Sequence, residues 1–156
     1  MADVEIKNRD TCRIAYVEHA GAYDKIPFEK YISELYAWAK RMKVMPGFLP
    51  FAIYYDVPQA TSPGKRRSEI AITFKGNGQP DGNIKVKELP AMKVAVLKHK
   101  GSSKGFAESY GKLTEWITKN GYEWTGPAIE IYTKKPKVVA GETLIYAHIQ
   151  APIRQK

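Results

Sequence analysis

GPAIEIYTKKP, residues 126–136, is bounded by Gly126 and Pro127 on one side and Pro136 on the other, and the run between alternates as an extended strand does. Successive side chains of a strand stand on opposite sides of its sheet, so Ile129 and Ile131 point one way and Ala128, Glu130 and Tyr132 the other. LPFAIYYDVP, residues 49–58, repeats the frame: Pro50 matches Pro127 and Tyr55 matches Tyr132, both seventy-seven positions apart. In that frame Ile53 takes the place of Glu130. The two copies differ most where an acid replaces an aliphatic residue, which makes Glu130 the lead on function.

Outward from these strands, the halves follow one order. CRIAYVEH (12–19) alternates as a strand, and HAGAYDKIP then turns the chain into a helix on which Phe28, Tyr31, Ile32, Leu35, Trp38, Ala39 and Met42 recur every three or four positions. That helix closes near Gly47. LPFAIYYDVP reads as a strand, QATSPGKRR as a loop and SEIAITF as another strand. GNGQPDGN (76–83) is the densest cluster of turn formers and the joint between halves. Beyond it come IKVKELPAMKVAVLKH, one or two extended pieces broken at Pro90, a helix carrying Phe106, Tyr110, Leu113, Trp116 and Ile117, the strand with Glu130, and ETLIYAHIQAPI. His19 and Gly21 match His99 and Gly101, while Phe28, Leu35 and Trp38 match Phe106, Leu113 and Trp116. Identities at offsets drifting from eighty to seventy-seven predict a duplication. The expected fold is α+β: two tandem β-α-β-β units, repeat 1 about 3–75 and repeat 2 about 84–153, in a single domain over 1–156, with the helices on one face of the sheet.

At a register of seventy-seven, Ile70, Ile72 and Phe74 with Ala147, Ile149 and Ala151 form the helix-covered side. The other side then carries Phe51, Ile53, Tyr55 and Glu69 from one half with Glu130, Tyr132, Tyr146 and His148 from the other. Rings with one or two acids suit a lipophilic cation, since they offer both π faces and a counter-charge. His148 has two readings, a hydrogen bond to Glu130 or, the favoured one, a satisfied sheet histidine. Glu130, Tyr132 and Tyr146 also form a possible acid–base set, so the enzyme alternative is a hydrolase with Glu130 as acid or base.

Composition narrows the classes. The formal charge is +9, but the lysines are scattered and clusters such as Lys65, Arg66 and Arg67 lie in loops without a DNA-reading motif, so direct nucleic-acid binding is not expected. No apolar run approaches the length of a membrane span, no secretory leader is recognisable, and lone Cys12 has no internal disulfide partner, which together place the protein in the cytoplasm. His19 and His99 lack further ligands at metal spacing and read as a structural device of the repeat. No phosphate loop, dinucleotide fingerprint or nucleophile elbow is present, so neither metal nor cofactor is expected.

The duplicated unit, the VEHAGAYDKI and LKHKGSSKGF turns, the YYDVP and EIYTKKP strand ends and the closing HIQAPI resemble the GyrI-like domain over nearly the whole chain. That domain is the effector-binding part of AraC- and MerR-type multidrug-responsive transcription regulators and also stands alone. The resemblance implies pseudo-twofold halves with a ligand groove between them, and a buried glutamate of the second half that meets cationic aromatic ligands; Glu130 in EIY is the matching position. Beside Glu130, the face read from the register supplies Tyr132, Tyr146, Phe51, Tyr55, His148 and Glu69 as the further expected ligand-binding residues. No DNA-binding helix pair precedes Cys12, so a stand-alone effector-binding or drug-sensing role is expected, with a small-molecule ligand and a separate DNA-binding or acidic protein partner. Relatives of this kind that inhibit gyrase or hydrolyse strained electrophilic toxins supply the alternatives.

Overall fold

A computed structural model describes residues 4–55, 63–102 and 105–156. Asp56, Val57 and Pro58 at the end of the first-half strand, loop residues 59–62, and Ser103 and Lys104 of the second turn lie outside the described residues. The fold is mixed α+β, with every strand pairing antiparallel. In chain order the elements are β1 (Val4–Arg9), β2 (Cys12–Ala20), α1 (Phe28–Met42), β3 (Met45–Pro46), β4 (Phe51–Tyr54), β5 (Arg67–Lys75), β6 (Ile84–Leu89), β7 (Met92–Ser102), α2 (Phe106–Lys119), β8 (Tyr122–Trp124), β9 (Ala128–Tyr132), β10 (Lys137–Val139) and β11 (Glu142–Gln155). The helices stand where the apolar stripes of the sequence put them. IKVKELPAMKVAVLKH becomes two strands, parted at Pro90, which has no N–H to carry a ladder onward.

Two compact units divide the chain, one taking Met1–Arg9 with Met92–Lys156 and the other Asp10–Ala91. In the unit 10–91 the strands run β6-β2-β5-β4, with β3 also against β5. Helix α1 covers the face that carries Ala15, Val17, Ile70, Ile72 and Phe74, burying Leu35, Trp38 and Ala39. The Trp38 ring meets Phe74 edge-on at 5.1 Å, and its indole N–H donates to the Gln79 carbonyl at 2.8 Å. The turn-rich joint is thereby tied to the core. In the other unit the strands run β1-β7-β11-β9, with β8 and β10 also on β11. There Leu113 and Ile117 of α2 pack on Ala95, Leu97, Ile149, Ala151 and Ile153.

The duplication persists in the pairings, with one exchange. β6 is the counterpart of β1 eighty residues on, yet β1 pairs with β7 and β6 with β2. Val4 lies opposite Leu97, and their counterparts Ile84 and Val17 lie opposite each other. Each unit therefore draws an edge strand from the other half of the sequence. The equivalent histidines are also built alike: His19 Nε2 lies 3.3 Å from the Ala22 carbonyl and His99 Nε2 lies 3.2 Å from that of Ser102. A carbonyl only accepts, so Nε2 carries the proton in both, and each ring braces the turn that follows its strand.

Two glycines separate packing from backbone freedom. A Cβ on Gly78 would come within 2.5 Å of the Trp38 ring, whereas one on Gly111, in α2, meets nothing within 4 Å. Gly78→Ala is expected to destabilise the fold by about 1–3 kcal/mol through overpacking, and Gly111→Ala to stabilise it by about 0.5–1 kcal/mol through helix propensity. Urea unfolding of the two variants beside the parent checks both signs.

Candidate functional site

Cross-strand partners in an antiparallel ladder point to the same face, so pairing decides where Glu130 lies. Glu130 stands opposite Ile149, and Tyr132 opposite Ala147. Ile149 belongs to the core under α2, and Glu130 and Tyr132 accordingly lie on the helix-covered face. On the helix, Tyr110 precedes Leu113 and Ile117 along the same stripe, and it reaches the acid. The Tyr110 hydroxyl donates to Glu130 Oε2, and the Tyr132 hydroxyl to Oε1 at 3.0 Å. Trp124 stacks on Tyr110, centroids 6.3 Å apart at 15°, and is itself fixed by its indole N–H on the Gly126 carbonyl at 2.7 Å. Phe106 lies 6.4 Å from Tyr110 on the same helix.

Glu130 is 8% exposed and, among the described residues, no lysine, arginine or histidine is paired with it. Burial pushes its carboxyl pKa up, and the bonds from Tyr110 and Tyr132 offset that only in part. Its counterpart in burial is Glu69 of the unit 10–91, at 9% exposure, which is treated differently. Lys87 donates to its two oxygens at 2.7 and 2.9 Å, and Tyr55 to Oε1 at 2.7 Å. That acid is neutralised from within.

The expected sharing of one face by Glu130, Tyr132, Tyr146 and His148 is corrected. Tyr146 and His148 stand opposite Lys100 and Lys98 and lie on the other side of the sheet, where His148 cannot reach the Glu130 carboxylate. Lys134 Nζ sits 5.3 Å from the Tyr146 ring centre, and burial together with Lys98 and Lys7 pushes the His148 pKa down. The cause is one residue of register. Ala15 faces Ile72 and its counterpart Ala95 faces Ala151; Ile70 faces Ala52 and its counterpart Ile149 faces Glu130. The offsets are thus seventy-nine and then seventy-eight, Glu130 replaces Ala52 instead of Ile53, and a slip of one flips a strand over. In the unit 10–91, Phe51, Ile53, Tyr55 and Glu69 do share a face, with Ile53 directly opposite Glu69.

Tyr110 and Trp124 are the site residues that sequence reasoning missed. Tyr110 counts as one more apolar position on its helix, and Trp124 falls in a short strand between turns. Among the described residues no three His, Cys, Asp or Glu side chains gather as metal ligands would, and no helix is long and apolar enough to cross a membrane.

A carboxyl with a higher pKa folded than unfolded takes up a proton on folding, so its ionisation costs stability as pH rises from the ordinary 4.5 through the raised value. Glu130→Gln is expected to unfold at a higher temperature than the parent at neutral pH, and the gap to narrow as the pH is lowered toward 4.5. Melting curves over that range check the sign.

Comparison with known proteins adds the following. A family model described as the GyrI-like small molecule binding domain matches residues 2–154. The EcmrR C-terminal domain is similar in fold, with 21% identity, a TM-score of 0.76 and coverage of 100% of this chain and 99% of that one. Against EcmrR in its DNA complex the identity is 20% and the TM-score 0.74; the match takes in 99% of this chain and spans only 58% of that chain. A hydrolase encoded by lin2189 from Listeria innocua matches at 12% identity and a TM-score of 0.73, covering 98% of this chain and 92% of that one. SAV2435 bound to tetraphenylphosphonium matches at 12% identity and a TM-score of 0.55, covering 97% of this chain and 95% of that one. At these identities the structural matches establish the fold.

Proposed function

Since the chain belongs to the GyrI-like small molecule binding domain family, we propose that it binds a small, lipophilic, partly aromatic cation beside Glu130. The observation that carries this reading is a buried carboxyl held by Tyr110 and Tyr132 and, among the described residues, lacking a cationic partner. A carboxylate about 4 Å from a cation is worth on the order of 4 kcal/mol at an effective dielectric near 20, before desolvation, and each ring adds about 0.5–2 kcal/mol. Glu130 supplies the larger single contribution, and Tyr110, Tyr132 and Trp124 supply the ring faces. The structure of SAV2435 with tetraphenylphosphonium, a lipophilic aromatic cation, supports the ligand class by analogy of fold. The role that goes with this reading is a cytoplasmic multidrug sensor whose response passes to a DNA-binding partner, as the EcmrR–DNA complex suggests by analogy.

One observation favours a second reading. An acid with a raised pKa bonded to two phenols is also an acid–base set, and the fold is shared with the Listeria innocua hydrolase. Turnover of a strained electrophile that disappears in Glu130→Gln would establish it in place of simple binding.

Tetraphenylphosphonium is expected to raise the melting temperature of the parent protein, and Glu130→Gln to weaken its binding at least tenfold, equivalent to about 1.4 kcal/mol or more. Affinity for the parent should fall as the pH drops through the raised pKa of Glu130, because the protonated acid offers no counter-charge. Isothermal titration at several pH values measures both; equal affinity of parent and variant for the cation would end the proposal.

A further inference from the structure

On β2 and β5, Glu18 and Glu69 stand directly opposite each other, an arrangement of like charges that each strand pair ordinarily avoids. Strand β6 resolves it with two alternating lysines, Lys85 on Glu18 and Lys87 on Glu69. The two pairs are unlike. Lys85 and Glu18 are both more than half exposed, whereas the Glu69 side chain is 11% exposed and that of Lys87 31%. Lys87 Nζ lies 4.4 Å from the Tyr16 ring centre and 5.7 Å from that of Tyr55, donates to the Tyr55 hydroxyl at 3.1 Å, and bridges both oxygens of Glu69. Tyr55 in turn donates to Glu69 at 2.7 Å, which orients the acid toward the ammonium. The π face of Tyr16, a phenol oxygen and a buried carboxylate, converging on one nitrogen, are the parts of a receptor for an organic cation.

We infer that Tyr16, Tyr55 and Glu69 form a second cation-binding site, selective for an unbranched primary alkylammonium, which the edge strand β6 keeps closed by inserting Lys87 as its resident ligand. The contact is autoinhibitory: with the lysine in place, Glu69 offers no vacant counter-charge to an external cation. The inference does not depend on the role assigned to Glu130.

Lys87→Ala removes the three outer methylenes and the ammonium, a gap of the shape of n-propylammonium. The variant is expected to melt below the parent and to regain about 3 °C or more with n-propylammonium chloride over equal sodium chloride, saturating with concentration. The parent, Lys85→Ala and the double variant Lys87→Ala/Glu69→Gln should show no such difference. Lys87→Met, which fills the cage with an uncharged stem, should fold and remain unresponsive. If Lys87→Ala is unfolded in buffer, the reading becomes recovery of its native circular dichroism on adding n-propylammonium, with the same comparisons. An equal response in the double variant overturns the proposal. So does none in Lys87→Ala, as when Arg67, 5.8 Å from the Tyr55 ring, takes the vacancy.

Discussion

Glu130 faces Ile149 across β9 and β11, and what else is notable about this chain follows from the side of the sheet on which that pairing leaves a carboxyl group. The side is the one under α2, so the acid enters a layer otherwise made of Ala95, Leu97, Leu113 and Ile117. An acid in such a layer needs donors, and they come from the helix above, Tyr110, and from its own strand, Tyr132. In the unit 10–91 the corresponding positions hold Ala52 and Ile32, with Tyr54 where Tyr132 stands. The phenol at Tyr110 thus accompanies the acid, each being costly without the other: a buried hydroxyl or carboxylate with no partner loses on the order of 1–3 kcal/mol or more.

The two most buried acids among the described residues show two ways of meeting one desolvation cost. Glu69 is met by a full charge, Lys87, which bridges both its oxygens. Glu130 is given dipoles alone, which steady an ionised carboxylate less well than a cation does, and its affinity for a proton rises. The first arrangement is complete in itself. The second leaves the electrostatic demand on which the proposed binding of a cation rests.

Much of this was legible from residue order. The stripes on both helices, the turn-rich joint at 76–83 and the duplicated order of elements rest on local periodicity and repeated motifs, which a chain displays openly. The companions of Glu130 were not legible, because they depend on which residues oppose one another across strands. Matching Pro50 to Pro127 aligns the loop ends, but the ladder aligns Ala52 with Glu130, and that difference of one carries Tyr146 and His148 to the far face. Lys87 was equally hidden: nothing in IKVKEL marks one lysine as meeting a buried acid and its neighbour two places back as meeting an exposed one. The exchange of β1 and β6 is hidden for the same reason, since either strand suits either partner by composition.

That exchange also sets an order of assembly on the ribosome. The unit 10–91 has every strand it needs once Leu89 has emerged, and its contacts can close while the rest is still being made. Val4–Arg9 emerges before that unit, yet its hydrogen-bonding edge belongs to Met92–Ser102, beyond the whole of it. The amino-terminal strand is therefore made early and used late, and closing it onto the sheet is a long-range step that slows completion of the fold.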